Sequence, residues 1–590
     1  MSEDYKNSEV SLKAEKPLET NNPTPQKRFL TLFLVVCLVA ITATISALSH
    51  DPQPQKSAFA VTNQISVSNT TGANSQAWYC PGPLPIGAWP KSVSSIYLAD
   101  IGPENLNVTL LVSDTVSHKI TRMDVTVPKA EGVVVPLTRS GTMSFAAVSA
   151  VTNGPGLAAV QIIDGQDGET TSNCMTSAGK VLGVSAGSTL DGKNINLAIY
   201  NPTSTPAVVN VALQIVNTHG QNQSLAPPKL QGITLEPGEA ETFDVGQSVP
   251  QEPSVALLIN ALGSDVVAGV QLIDPGFANL GEGSLVSAVA PSANRWTFPP
   301  LPAGLHVLNT YSILNPNNRA VDLYLKLLGD KKPFTKVDLA QNSQTVLTPP
   351  LSSAPVFPGL IRTLPLKGFP VAKQEAERFL LGRQLPQMIP VAMVEHSHFP
   401  LIVERTITSV KPQSNETFSL NAMAVDIIHG YSRASAIATA TRLGVNISSD
   451  QKVNAVSTIP TLPQGTATVN AFTAPARKWV LLPGRSNKLM GHLVTVFNES
   501  RRPTKVQFFR IPLFYMGSTH HPLSTFANKP IIAIDLKGRS GATIDPDYLI
   551  GEPGPIGMEI TSQRKIVVAA IGYGRLPEEG ISISTALPVR

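Results

Sequence analysis

The sequence predicts an all-β protein: tandem antiparallel β-sandwich-like units, about four copies, after one N-terminal transmembrane helix. Three observations carry this expectation. Charged residues make up only 15% of the chain, while Pro (50) and Gly (42) are plentiful, a balance that suits strands and turns better than helices. Residues 29–48 hold no charge at all. Beyond them, one strand–turn–strand pattern is written four times between residues 76 and 576.

The N-terminal segment sets the compartment. "FLTLFLVVCLVAITATISAL" (29–48) is long enough as a helix to cross about 30 Å of hydrocarbon. Lys27 and Arg28 stand directly before it, so the positive-inside rule puts residues 1–28 in the cytoplasm and 49–590 outside. A cleaved signal peptide is the competing reading, but the apolar run exceeds the usual signal core, and a small-x-small site appears only at Ala58-Phe59-Ala60. Residues 49–76, rich in Ser, Thr, Asn, Gln, Pro and Gly, read as a flexible linker. The expected localisation is the cell membrane, single-pass, with the bulk extracellular.

At 590 residues the chain is too long for one core, and three to five units are expected. The net charge is +4 and no block of Lys and Arg exceeds two residues, so no nucleic-acid footprint is visible. Cys37 lies within the apolar run. Cys80 and Cys174 are the remaining two, either a disulfide in an oxidising compartment or two free thiols. Structural zinc would need four clustered ligands.

The repeat has two halves. The first reads "SIYLADIGPENLNVTLLV" (95–112), "NLAIYNPTSTPAVVNVAL" (196–213), "TYSILNPNNRAVDLYLKL" (310–327) and "HLVTVFNESRRPTKVQFF" (492–509). Period-2 alternation argues for strands, and the Gly-Pro, Asn-Pro or Asn-Glu break between them argues for a hairpin-like bend. The second half reads "SFAAVSAVTNGPGLAAVQIID" (144–164), "SVALLINALGSDVVAGVQLID" (254–274), "PVAMVEHSHFPLIVERTIT" (390–408) and "IGMEITSQRKIVVAAIGYG" (556–574). Trp78, Trp296 and Trp479 mark the entry of three copies, while "KVLGV" stands at the second. Units are therefore expected at 77–175, 176–289, 290–408 and 471–590, with an inserted or linking segment at 409–470. Helical composition is present at 364–386, within the third copy, and at 431–445.

Each candidate for chemistry has a plainer structural reading. The Trp residues could stack on a sugar, but at the start of an inward-facing strand they belong to a core. Asn-Pro satisfies turn geometry without a ligand. "GVSAG" (183–187) has the letters of a nucleophile elbow around Ser185, yet a turn and a strand follow where a helix is required. His396 and His398 fall in the polar turn of a copy, and His520-His521 in a loop. "DGQDGET" (164–170) lacks the spacing of a calcium loop and reads as a mobile turn between copies one and two. The carboxylates Asp191, Asp274 and Glu404 are turn residues or strand ends and form no recognisable pair. Six N-x-S/T sequons begin at Asn69, Asn107, Asn222, Asn415, Asn446 and Asn498.

"SQAWYCPGPLP", "SNCMTSAGK", "GSTLDGKNINLAIYNPTSTPAVVNV", "LQGITLEPGE" and "VERTI" resemble the large secreted or membrane-anchored actinobacterial proteins classed as domain of unknown function 5719, along nearly the whole exported part. The resemblance implies that Cys80 and Cys174 form a structural disulfide, an actinobacterial envelope location, and no established activity. At the second copy this chain departs from the aromatic start of the family.

Taken together, the residues point to a noncatalytic, membrane-anchored extracytoplasmic scaffold or binding protein of the bacterial cell envelope. No catalytic residue, metal site or cofactor is expected. The expected partners are the membrane and an envelope glycan or another surface protein. The rival class is a cell-wall polysaccharide-processing enzyme or accessory subunit, with a cleft lined by the segments at 364–386 and 409–470.

Overall fold

The computed structural model describes residues 76–86, 93–138, 144–164, 169–274, 283–291, 295–303, 307–328, 333, 335–347, 387–395, 399–409, 418–419, 445–447, 455–457, 465–470, 475–487, 490–518, 529–544, 546, 554–574 and 581–589. The chain divides into Met1–Ala60 and Val61–Arg590, and every described residue belongs to the second unit. The expected membrane helix at 29–48, the cytoplasmic tail, the linker up to 75 and the helical segments at 364–386 and 431–444 lie outside the described residues. Among the described residues no helix is long and apolar enough to cross a membrane.

The protein is all-β, built of antiparallel sheets that come in pairs. In the first pair, eight strands run Gln76–Ile86, Val93–Asp100, Leu106–Asp114, Ile120–Val127, Gly132–Leu137, Ser144–Thr152, Leu157–Asp164 and Glu169–Asn173. Numbered one to eight, they form one sheet in the order 1-6-3-4 and a second in the order 5-2-7-8. The same two orders recur three times. The second pair uses Val181–Val184, Asn194–Tyr200, Ala207–Val216, Asn222–Leu225, Ala240–Asp244, Ser254–Leu262, Val267–Ile273 and Gly283–Ser287. The third uses Arg295–Ala303, Val307–Asn315, Val321–Leu327, Thr335–Leu339, Ser343–Leu347, Gln387–Glu395, Ile402–Ser409 and Gly465–Asn470. The fourth uses Ala476–Ser486, Met490–Asn498, Thr504–Ile511, Ile532–Leu536, Ser540–Ile544, both halves of Gly554–Gly574, and Ile581–Thr585. Gly465–Asn470 pairs with Ile402–Ser409 as an eighth strand, so the stretch without a counterpart is 410–464, and 470 ends the third pair. Within that stretch three short strands, Phe418–Ser419, Val445–Ile447 and Ala455–Ser457, form a small sheet of their own.

Each pair closes over an apolar core fed by both sheets. In the first, Trp78, Leu110 and Val148 from one sheet meet Ile96, Leu98 and Val135 from the other. Trp78, Trp296 and Trp479 are all buried, with Leu182 in the corresponding place of the second pair, so the recurring aromatic is a core residue.

The expected hairpins are not hairpins. Strands two and three, on either side of the Asn-Pro break, belong to opposite sheets in every pair, and strands six and seven do likewise. In the second pair Leu197 and Ile199 face Val209 and Val211 across the core instead of pairing beside them. Alternation alone cannot separate the two arrangements, because an arch and a hairpin both need one apolar face per strand.

Cys80 and Cys174 are disulfide-bonded and fully buried. The bond ties strand one to the residue after strand eight, and backbone hydrogen bonds between Tyr79 and Met175 flank it. The cysteines are 94 residues apart, and closing such a loop in the unfolded chain stabilises the native state by up to about 4–5 kcal/mol. Replacing both cysteines by Ala is expected to lower the urea midpoint; an unchanged unfolding curve would show that the bond constrains nothing.

Candidate functional site

The four eighth strands meet. Asn173 donates through Nδ2 to the carbonyl (2.9 Å) and Oγ1 (2.8 Å) of Thr585, and its own carbonyl accepts Ser287 Oγ at 2.9 Å. The Ser287 carbonyl in turn accepts Asn470 Nδ2 at 2.9 Å. Deeper along the strands Thr171 bonds Ser584, Thr170 Oγ1 accepts the Leu285 N–H, and Ser284 Oγ accepts the Thr468 N–H. Each eighth strand thus touches the next, and the fourth touches the first. Because Asn173, Ser287, Asn470 and Thr585 are all last residues of their strands, the four strands run in the same direction around one axis.

That axis holds a small cavity with room for about one water molecule. Its lining comes from all four pairs: Thr171, Ser172, Asn173, Leu285, Val286, Thr468, Val469, Asn470, Ile583 and Thr585. These side chains offer hydroxyls and amides over an apolar floor, with no carboxylate, imidazole or thiol among them. Such a site can hold water or a small hydrogen-bonding group but supplies no acid–base pair.

The carboxylates and nucleophiles singled out in the sequence are scattered. Asp191 is exposed in a 3-10 turn at positive φ, and Asp274 bonds Lys193 Nζ at 3.0 Å. Ser185 is fully buried, and its Oγ donates to the Ser312 carbonyl at 2.9 Å, so it cannot reach a substrate. His396, His398, His520 and His521 lie outside the described residues. The "DGQDGET" turn, expected to be a mobile surface element between copies one and two, is anchored at its ends to the fourth pair. Arg485 donates to Asp164 Oδ1 at 2.8 Å through its side chain and to Glu169 Oε2 at 3.0 Å through its backbone N–H. Residues 165–168 lie outside the described residues. Among the described residues no group of three or more His, Cys, Asp or Glu could hold a metal ion.

Glu404 was only a strand-end carboxylate in the sequence; in the structure it is sealed between the second and third pairs. Its Oε2 accepts the Ala186 N–H at 2.7 Å, while Oε1 is buried without a partner. Burial pushes its carboxyl up to about 8 against the pull of the Ala186 and Ser185 hydrogen bonds. Its neighbour Arg405 points to the other face of the strand, bonds Asn309 Oδ1 and lies over the Tyr311 ring.

The Asn-Pro and Asn-Glu breaks are structural clasps. Asn201 donates to the carbonyls of Thr205 and Leu235 and accepts the Thr203 N–H. Asn315 does the same with Arg319, Ala340 and Asn317, and Asn498 with Arg502, Lys537 and Ser500. Asn498, although it begins a sequon, is fully buried in this role. In the first pair the place belongs to Asp100. Its Oδ1 accepts the Gly102 N–H, but Oδ2, which has no amide hydrogens, is buried without a partner. Burial raises its carboxyl to about 7, opposed by the Gly102 bond and by Lys129.

Residues 128–373 match the family model described as "Family of unknown function (DUF5719)". The match runs from the first pair into the third and is narrower than the resemblance along the exported part; "WYCPGP" lies outside it. No curated protein and no solved structure matches the chain.

Both buried carboxyls give pH tests. A carboxyl whose folded pKa is raised stabilises fully below its unfolded pKa of about 4, and that stability is lost as pH rises through the folded value. Asp100→Asn supplies the missing donor permanently, so it is expected to stabilise by about 1–2 kcal/mol at pH 8, allowing for solvent screening, and by little at pH 5. Urea midpoints at the two pH values read this directly; equal effects at both would refute the protonated clasp. Glu404→Gln is expected to flatten the decline in stability between about pH 4 and 8, read from urea midpoints across that range.

Proposed function

We propose that the protein is a noncatalytic, membrane-anchored extracytoplasmic scaffold or binding protein of the bacterial cell envelope, anchored through residues 29–48. On this reading the four sheet pairs are copies of one β-sandwich unit, and the work of binding falls to what differs between copies. The observation that carries it is the use made of the recurring polar residues. Asn201, Asn315 and Asn498 clasp backbone, Ser185 bonds a neighbouring pair, and the three entry tryptophans fill cores. The polar groups most suggestive of chemistry are therefore spent on holding each pair in shape and, for Ser185, on joining the second pair to the third.

The third pair differs most from the others. Its strands five and six are separated by residues 348–386 and its strands seven and eight by 410–464, both far longer than the corresponding links elsewhere. Long loops carried on rigid sheets are where binding is commonly placed. An envelope glycan or another surface protein is the proposed ligand of these segments. A polysaccharide-processing activity finds no support in Glu404, whose raised pKa suits a general acid but whose side chain is sealed from solvent.

Co-sedimentation of residues 61–590 with envelope glycan fractions, with and without competing free sugars, tests the reading. Saturable, competed binding that is lost on replacing 410–464 by a short Gly-Ser link is expected for a glycan ligand. Absence of binding to every fraction would remove the glycan and leave a protein partner, sought by crosslinking in intact cells.

A further inference from the structure

Strands alternate in direction within the fourth pair. The start of its strand one, its links from two to three and from four to five, and its bend from six to seven therefore lie at one end of that pair. Hydrogen bonds set these segments side by side. The Arg539 N–H donates to the Ser500 carbonyl at 2.8 Å, and Asn498 Nδ2 donates to the Lys537 carbonyl at 3.0 Å. The Arg564 N–H donates to Thr504 Oγ1 at 3.2 Å, and Ser562 Oγ donates to the Arg477 carbonyl at 3.2 Å. Gly538 lets its link lie directly on that of Arg501, where a Cβ would collide with the Arg501 carbonyl. The segments thus form one row, in the order 537–539, 499–503, 562–565 and 475–477.

Six cations stand along this row: Lys537, Arg501, Arg502, Arg564, Lys565 and Arg477, all exposed except the half-buried Arg564. Among the described residues none of them is in an ion pair. Glu499 bonds Arg295, Glu559 bonds Lys478, and Asp535 stands opposite Lys505 in register. The corresponding links carry Glu104, Lys129 and Glu131 in the first pair, and Glu236, Glu239 and Asp265 in the second. In the third they carry Arg319, which lies over the Phe399 ring. Among the described residues the row of free cations therefore belongs to the fourth pair.

The row offers charge and hydrogen-bond donors and little else. None of its residues is aromatic, and no exposed large hydrophobic residue lies on it. A protein partner is held by buried aromatic or aliphatic anchors, a bilayer takes up apolar groups beside the basic ones, and single-stranded nucleic acid stacks on aromatic rings. A hydrophilic polymer with anions repeated along its length needs none of these. Four of the six cations are Arg, whose planar fork accommodates two carboxylate or phosphate oxygens at once. The backbone beneath them is already pinned, so little order is lost on binding.

We infer that this end of the fourth pair binds an anionic polysaccharide, one that carries carboxylate or phosphate groups along its chain and lies across the row from Lys537 to Arg477. The choice of a sugar polymer among hydrophilic polyanions rests on the envelope-glycan reading above. The site itself is separate from the long segments of the third pair.

The test is equilibrium binding of the full chain, solubilised in a non-ionic detergent, to polygalacturonate (carboxylates) and to a phosphomannan (phosphodiesters), with neutral dextran as control. Binding to at least one charged polymer and none to dextran is expected, and the polymer that binds assigns the anion. Affinity should fall at least about tenfold between about 0.05 and 0.2 M salt. The variant Arg501→Gln, Arg502→Gln, Arg564→Gln, Lys565→Gln, whose hydrogen bonds at these residues run through the backbone, should lose at least about tenfold and show a shallower salt dependence. Arg501→Gln with Arg502→Gln alone, on an exposed link, gives a smaller loss should the fourfold variant not fold. A control with equal loss of charge, Lys119→Gln, Lys180→Gln, Lys229→Gln, Lys326→Gln, should bind as the parent does, and so should the chain with 410–464 replaced by a Gly-Ser link. Binding to neither polymer overturns the inference, as does unchanged binding by the folded row variants or an equal loss in either control. Tighter binding to duplex DNA or to phosphatidylglycerol vesicles than to both polysaccharides overturns it too. Failure of the third-pair reading shows separately, in the competed co-sedimentation with envelope glycans.

Discussion

Closure of the fourth sheet pair onto the first is the constraint on which the remaining structure depends. A chain of four similar units joined head to tail either ends in an open array or returns on itself, according to the rotation between neighbours. Here it returns. Asn173 and Thr585 bond at the axis, Arg485 bonds Asp164, and Leu513–Tyr515 adds a parallel strand to the edge Gly132–Val134. Val480, Leu482 and Leu587 of the fourth pair complete the core of the first. The disulfide between Cys80 and Cys174 fixes the first pair where this closure is made, holding strand one against the residue that follows strand eight.

Closure explains why polar residues are so heavily buried. Between neighbours, hydroxyls and amides replace part of the apolar contact: Ser185 with Ser312, Gln344 with Ser254, Thr171 with Ser584. Hydrogen bonds of this kind add little net stability but are costly to leave unmade, so they select one arrangement over others. Glu404 and Asp100 are two of the places among the described residues where this satisfaction is incomplete. Each carries one buried oxygen without a partner and a carboxyl pushed up by burial.

Much of this fold is legible locally. The all-β class, the fourfold pattern and the burial of Trp78, Trp296 and Trp479 follow from alternation and from where large aromatics sit relative to it. The hairpin expectation failed for a physical reason: Asn201 clasps the Leu235 carbonyl of another strand, a contact that no feature of "YNPTSTP" announces. The strand at 465–470 was hidden because its partner lies more than fifty residues upstream. The candidate site fares worse. Its axial residues are ordinary Thr, Ser and Asn at strand ends, and only their meeting makes them notable.

The sequence by itself determined the secondary structure class, the repeat, the apolar segment at 29–48 and the presence of two cysteines able to pair, because each depends on residues near one another in the chain or on composition. Only the tertiary structure decided that strands flanking each Asn break lie in opposite sheets, that the four pairs close around an axis and that Glu404 is sealed. Those outcomes depend on contacts between residues tens to hundreds of positions apart, such as Thr171 with Ser584, and sidedness in a sheet is the same in sequence whichever partner a strand finds.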